Sequence, residues 1–107
     1  MRVLKFGGSS VRDAERIRSV GNILQGYSEQ GIQYTVVFSA MGGITDLLIS
    51  MAAKASKGDV GYKKDLDHFI IRHNEVIDTL FDEKSVYDDV MEVIEEQHDT
   101  LKNLLYG

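Results

Sequence analysis

The sequence predicts an α/β fold: two parallel strands in a strand–helix–strand–helix unit, followed by an antiparallel helical hairpin. Three observations carry this. Two short runs of strand-forming residues, Arg2–Phe6 and Tyr34–Ala40, each break into a glycine turn. Each turn feeds a stretch whose apolar residues recur at steps of three and four, the spacing of one helical face. After a polar linker, KASKGDVG, two further amphipathic stretches follow with no third strand.

The run Arg2–Phe6 is mostly apolar without strict alternation, as expected of a parallel strand covered on both faces. Gly7–Ser10 reads as a turn. From Val11 onward, Val11, Ala14, Ile17, Val20, Leu24 and Tyr27 trace a helical stripe, with Arg12, Glu15, Arg16 and Arg18 largely outside it. Ser9 or Ser10 is expected to cap that helix, Asp13 completing a capping box with Ser10. Gly26 and Gly31 bracket its end. Tyr34–Ala40 (YTVVFSA) is the strongest strand and is expected to be central. Met41-Gly42-Gly43 then turns into a helix near Thr45, with Leu47, Leu48, Met51, Ala52 and Ala55 on its apolar side. A right-handed crossover between parallel strands puts both glycine turns at the same sheet edge, facing one crevice.

Residues 1–58 form this unit, and residues 62–106 the hairpin. Leu66, Phe69, Ile70, His73, Ile77 and Leu80 mark its first helix, and Val90, Ile94, Leu101 and Leu105 its second. Asp82–Ser85 is the connecting loop, with Ser85 and Asp88 spaced as a capping box. Two parallel strands alone leave apolar edges uncovered, so the chain reads as a fragment of something larger.

Composition narrows the function. With 107 residues, 43% hydrophobic and 27% charged, the chain reads as one globular domain or part of one, and no apolar run nears the ~20 residues of a membrane span. A net charge of −5 gives no field to attract nucleic acid or anionic lipid. The absence of cysteine excludes a disulfide scaffold and a thiolate metal site, and with no signal-peptide pattern it points to the cytoplasm.

The first turn has the parts of an anion site. Glycines permit close backbone approach, amides at a helix start point outward, Lys5 adds a positive charge, and Ser9 and Ser10 offer hydroxyls. Taken alone, GGSS also reads as a tight turn with a helix cap. Neither G-x-x-x-x-G-K-[ST] nor G-x-G-x-x-G is present, and the lysine here precedes the glycines.

Val3-Leu4-Lys5-Phe6-Gly7-Gly8-Ser9-Ser10-Val11 resembles the amino-terminal signature of aspartate kinases, and Phe38-Ser39-Ala40-Met41-Gly42-Gly43-Ile44-Thr45-Asp46 resembles their second motif. Order and spacing both match. Ser9 stands where threonine is commoner and keeps the hydroxyl. The start MRVLKFGG is also similar to enzymes that fuse the kinase to homoserine dehydrogenase.

The resemblance implies an amino-acid kinase fold, in part, and transfer of the ATP γ-phosphoryl group to the side-chain carboxylate of L-aspartate, with Mg2+ accompanying ATP. That step belongs to the biosynthesis of lysine, threonine and methionine. By the same resemblance Lys5 is catalytic and, with Gly7, Gly8, Ser9 and Ser10, holds ATP. Ser39 and Thr45 hold aspartate, no residue ligates a metal, and the enzyme is a homo-oligomer. The chain alone would be inactive, since further substrate and adenine residues lie downstream in the family. For Thr45 the local alternative is a helix N-cap. Two other functions stay open: another kinase of the same fold, which would lack SAMGGITDLL, and a non-enzymatic interaction module built on the hairpin.

Other candidates are weaker. His68 and His73 are not spaced to share a helix face as metal ligands. His73 lies on the apolar stripe and reads as a packed histidine with a partner, and His98 as a surface residue. Asp88, Asp89, Glu92, Glu95 and Glu96 read as a solvated face.

Overall fold

A computed structural model describes residues Met1–Gly107. Two strands and four helices follow in the order β1 (Arg2–Phe6), α1 (Ala14–Glu29), β2 (Tyr34–Phe38), α2 (Ile44–Ser56), α3 (Tyr62–Leu80) and α4 (Lys84–Tyr106). They pack as two compact units, Met1–Gly43 and Ile44–Gly107.

In the first unit β1 and β2 pair in parallel, from Arg2 opposite Tyr34 to Phe6 opposite Phe38. Helix α1 makes the crossover and covers one face. Tyr27 meets Tyr34 at 6.2 Å between ring centroids, Arg2 lies over the Tyr27 ring, and Phe6 stacks on Phe38 at 5.8 Å. Val20 of α1 is buried.

The other face is bare: Val3 is 71% exposed and Val37 48%. Coverage on both faces is therefore not found in this chain. Nor is β2 central, because the sheet holds only β1 and β2. YTVVF has the composition of an interior strand, but a strand becomes central only when a third one pairs with it.

Helix α1 also begins later than its apolar stripe suggests. The cap is Asp13, whose Oδ1 accepts from the Arg16 N–H at 3.0 Å, and neither Ser9 nor Ser10 serves. The reason is local. Ser10 is tied into the preceding turn, its N–H donating to the Gly7 carbonyl at 3.0 Å, so the chain reaches helical geometry only after Asp13. Val11, although outside the helix, is buried. At the other end Gly31, with φ of 70°, stops the helix, and its neighbour Ile32 donates back to the Tyr27 carbonyl.

The second unit is a three-helix cluster. Met51 of α2 and Tyr62 and Leu66 of α3 form its centre, with Leu47, Ala55, Phe69, Ile70, Leu101 and Leu105 around them. The inward stripe of α2 is Ile44, Leu47, Met51 and Ala55; Leu48 and Ala52 are exposed, contrary to expectation. Apolar residues beside a stripe of this width look the same in sequence whether they fall inside or outside it. Ser50 Oγ and Lys54 Nζ each donate to Asp65 Oδ2 at 2.9 Å, tying α2 to α3. The Lys54 bond, then the Ser50 bond, holds the Asp65 carboxyl below its usual range.

Helices α3 and α4 are antiparallel, with Leu66 packing near Leu101 and Leu105, and Tyr87 Oη donating to Asp78 Oδ1 at 2.7 Å toward the other end. The expected capping box is not formed. Lys84 already starts α4, Glu83 is its cap residue without a side-chain cap bond, and Ser85 Oγ donates to Glu83 Oε1 instead. Asp88, Asp89, Glu92, Glu95 and Glu96 are exposed, as read from the sequence.

His98 is not a surface residue. It is 8% exposed, with its ring 5.8 Å from both Phe69 and His73. Its spacing from Ile94, Leu101 and Leu105 places it on the inward stripe of α4. His73 is packed with a partner as expected, Nδ1 lying 2.8 Å from the Phe69 carbonyl.

Burial, and then the neighbouring His73, lowers the His98 pKa, while Asp99 and Glu95 on α4 pull it upward. From α2, Lys54 is already paired with Asp65. The unfolded chain, with His98 near its ordinary pKa of about 6.5, therefore binds the proton first, and the linked stability is full above that pH and lost as pH falls below it. Thermal melting is expected to drop between pH 7 and 5, and His98→Leu to flatten that slope. An unchanged slope in the variant removes His98 as the cause.

Candidate active site

Both glycine turns lie in the first unit, at the carboxyl edge of the β1–β2 sheet. Parallel pairing brings Phe6 and Phe38 side by side, and the ladder continues one step as the Ser39 N–H donates to the Phe6 carbonyl at 3.0 Å. Further on, the Gly42 N–H donates to the Arg12 carbonyl at 3.2 Å. Residues 39–42 are thus stitched at both ends to residues 6–12. Both turns are therefore at one edge of the sheet, as parallel strands joined by a crossover predict.

Within it, Lys5 is exposed on the sheet face that α1 leaves bare, in register with Val37. Gly7, Gly8 and Ser9 are exposed, and Ser10 is half-buried. A Cβ at Gly7 or Gly8 would meet nothing within 4 Å, so the space beside the turn is not filled by the chain itself. Arg16 braces the turn from α1, its Nη1 donating to the Ser9 carbonyl at 3.3 Å. Ser39 is exposed at the rim of an open groove of about 320 Å³ lined by Val11, Val20, Leu24, Phe38 and Met41.

Thr45 belongs to the second unit, exposed in the first turn of α2. Because that helix starts at Ile44, after Gly43 at φ of 80°, Thr45 is not its N-cap. The capping alternative for this residue is thereby removed. The site residues of the first unit, Lys5, Gly7, Gly8, Ser9, Ser10 and Ser39, are brought to one edge.

Charge favours an anion here. Residues 1–43 carry five Lys and Arg against three Asp and Glu, whereas residues 44–107 carry seven against fourteen. Overall charge conceals this division. The donors at the turns are amides, hydroxyls and cationic side chains, a set that suits phosphate or carboxylate oxygens and not a hard cation. No group of three His, Cys, Asp or Glu side chains converges to hold a metal ion. No helix is long and apolar enough to cross a membrane.

From the sequence Asp13 reads as the far member of a capping box rather than as the cap itself, and Arg12 and Arg16 have no role beyond lying outside the apolar stripe. Asp is among the residue types that favour an N-cap, a signal available at Asp13; the contact of Arg12 with Gly42, thirty positions away, leaves none.

Residues 1–102 match the amino acid kinase family. The chain belongs to that family. Among curated proteins this amino acid kinase chain is similar to the aspartokinase of Thermus thermophilus, 46% identical over 54 residues, which is 50% of this chain and 13% of that protein. It is also similar to the aspartokinase of Mycobacterium tuberculosis, 52% identical over 50 residues, 47% of this chain and 12% of that protein. The chloroplastic bifunctional aspartokinase/homoserine dehydrogenase of Daucus carota matches at 36% identity over 104 residues, covering 94% of this chain and 11% of that protein. The chain thus spans between a tenth and a seventh of the length of these relatives.

Proposed function

We propose that this chain forms the phosphoryl-holding part of an aspartate kinase, which transfers the ATP γ-phosphoryl group to the side-chain carboxylate of L-aspartate. The observation that carries the reading is the joining of the two glycine turns at one sheet edge, through Ser39 to Phe6 and Gly42 to Arg12. A carboxylate oxygen of aspartate forms a bond to the γ-phosphorus as the bond from that phosphorus to the β,γ-bridging oxygen breaks. The products are 4-phospho-L-aspartate and ADP.

Such a transfer asks mainly for alignment and neutralisation of charge spread over the phosphoryl oxygens. Lys5 supplies a compact positive charge. The open space at Gly7 and Gly8 lets the phosphoryl group approach backbone amides, and Ser9 and Ser10 add hydroxyl donors. Ser39 and Thr45 hold the acceptor by its polar groups. ATP arrives as its Mg2+ complex, and no step assigned to this chain runs through the metal.

Release of ADP that depends on L-aspartate, measured in the intact protein, tests the reading. Release with another small acid and not with aspartate would move the chain to a different kinase of the family. Thr45→Val keeps the shape of the side chain and removes its hydroxyl. It is expected to raise KM for aspartate roughly tenfold, the order of one hydrogen bond to a charged group, with KM for ATP unchanged. Equal substrate constants would take Thr45 out of the aspartate site.

The match to the carrot protein covers 94% of this chain and so runs through the helical hairpin, whereas the two bacterial aspartokinases match only about half. This favours a parent of the bifunctional type. Homoserine-dependent reduction of a nicotinamide cofactor by the intact protein is the corresponding measurement, and its absence would leave the kinase assignment standing alone.

A further inference from the structure

Gly42 sits where the second glycine turn meets the segment leaving the first. Its φ is not positive, so freedom of the backbone is not what requires glycine there. Close approach is. A Cβ at this position would stand 2.6 Å from Arg12 Cγ, 3.4 Å from Arg12 Cδ and 3.6 Å from the Arg12 carbonyl oxygen. Carbon atoms in good contact are about 3.5–4.0 Å apart, so the first distance is far inside contact. The clash falls on the root of the arginine side chain, not its mobile tip, so relief needs a different rotamer at Arg12 or a shift of one turn from the other. Gly7, Gly8 and Gly43 have no such neighbour, a Cβ on each meeting nothing within 4 Å.

We propose that Arg12 is a positioning residue that sets the gap between the two glycine turns. Its carbonyl holds the Gly42 N–H and its Cγ is the stop against which Gly42 rests. The inference deepens the aspartate kinase reading and rests on it for its functional consequence. The turn at Gly7–Ser10 holds the phosphoryl group, and Ser39, which makes the first of the two stitches, holds the acceptor. The gap therefore governs how well donor and acceptor are aligned, while each is bound by its own turn. A wider gap lowers the rate of transfer more than it weakens either substrate.

The test is a set of substitutions at residues 12 and 42 in the intact protein, read by kcat, by KM for ATP and aspartate, and by amide hydrogen exchange at residue 42. Gly42→Ala is expected to lower kcat by at least ~10-fold with each KM within ~3-fold, the pattern of lost alignment. With Arg12→Ala already in place the Cγ is gone, and adding Gly42→Ala should lower kcat by no more than ~3-fold, a coupling of the size seen between touching residues. Arg12→Met keeps the Cγ and drops the charge, so the full Gly42→Ala penalty should return. An equal penalty in the Arg12→Ala background, relief in the Arg12→Met background, or a loss falling on KM would each overturn the proposal. If Gly42→Ala prevents folding, rescue of folding by Arg12→Ala supports the stop and failure of rescue overturns it. Absence of aspartate-dependent ADP release in the unsubstituted protein is a failure of the functional reading instead. The contact itself is then read from exchange alone, which Gly42→Ala should accelerate with Arg12 and Arg12→Met but not with Arg12→Ala.

Discussion

Replacing Lys5 by alanine is expected to lower kcat for aspartate phosphorylation by at least ~100-fold, the order of losing one preorganised charge partner of a transition state. Lys5 stands on β1 two residues before Gly7, at the edge where both turns meet. Its backbone is fixed by pairing opposite Val37, so its charge is presented from a strand and not from a mobile loop. Because the side chain is exposed, the substitution should leave the melting temperature nearly unchanged. Activity and stability are thereby separated. Lys5→Arg should recover little, since the guanidinium is larger and planar where a compact ammonium is required. Turnover near that of the unsubstituted protein in either variant removes Lys5 from the mechanism. It would also revive the alternative of an interaction module based on α3 and α4.

The features legible in the sequence were those set by period and by turn chemistry. Arg2–Phe6 is a strand as read, the strand read over Tyr34–Ala40 stops at Phe38, each is followed by a glycine turn and a helix, and parallel pairing places both turns on one edge. What escaped depends on contacts between residues remote in sequence or on competition between neighbours. Ser10 had the composition of a cap, but its N–H is taken by the Gly7 carbonyl and Asp13 caps instead. His98, expected at the surface, has the spacing of the buried stripe and is buried, so there spacing is the better guide. Packing groups α2 with the hairpin through Met51, Tyr62 and Leu66, which its apolar stripe alone could not specify. The gap between the two turns was the least legible feature, because a glycine required for close approach looks the same in sequence as one required for a positive φ.

Met51→Ala is expected to be the most destabilising single substitution in the second unit. Met51 is fully buried, at 0% exposure, and packs with Tyr62 and Leu66 where α2 meets α3. Truncating a buried methionine to alanine costs about 2–5 kcal/mol, through lost transfer energy and the cavity left behind. In a unit of this size that is a fall in melting temperature on the order of 10 °C. Met51→Leu, nearly equal in volume, should cost less than ~1.5 kcal/mol, which separates the cavity from any specific need for sulfur. The effect reaches function through the helix. Thr45 and Met51 lie on the same helix, α2, with Met51 anchoring it against α3 and Thr45 exposed in its first turn. If Thr45 holds aspartate, loosening the anchor should raise KM for aspartate well before KM for ATP, because Thr45 rides on the helix that Met51 anchors, whereas the glycine turn proposed to hold ATP is not part of that helix. Melting curves and substrate constants on the same two variants decide the matter. A shift of only a degree or two for Met51→Ala would mean that Met51 is not the anchor, and equal rises in both KM values would mean that Thr45 is not held in place by α2 alone.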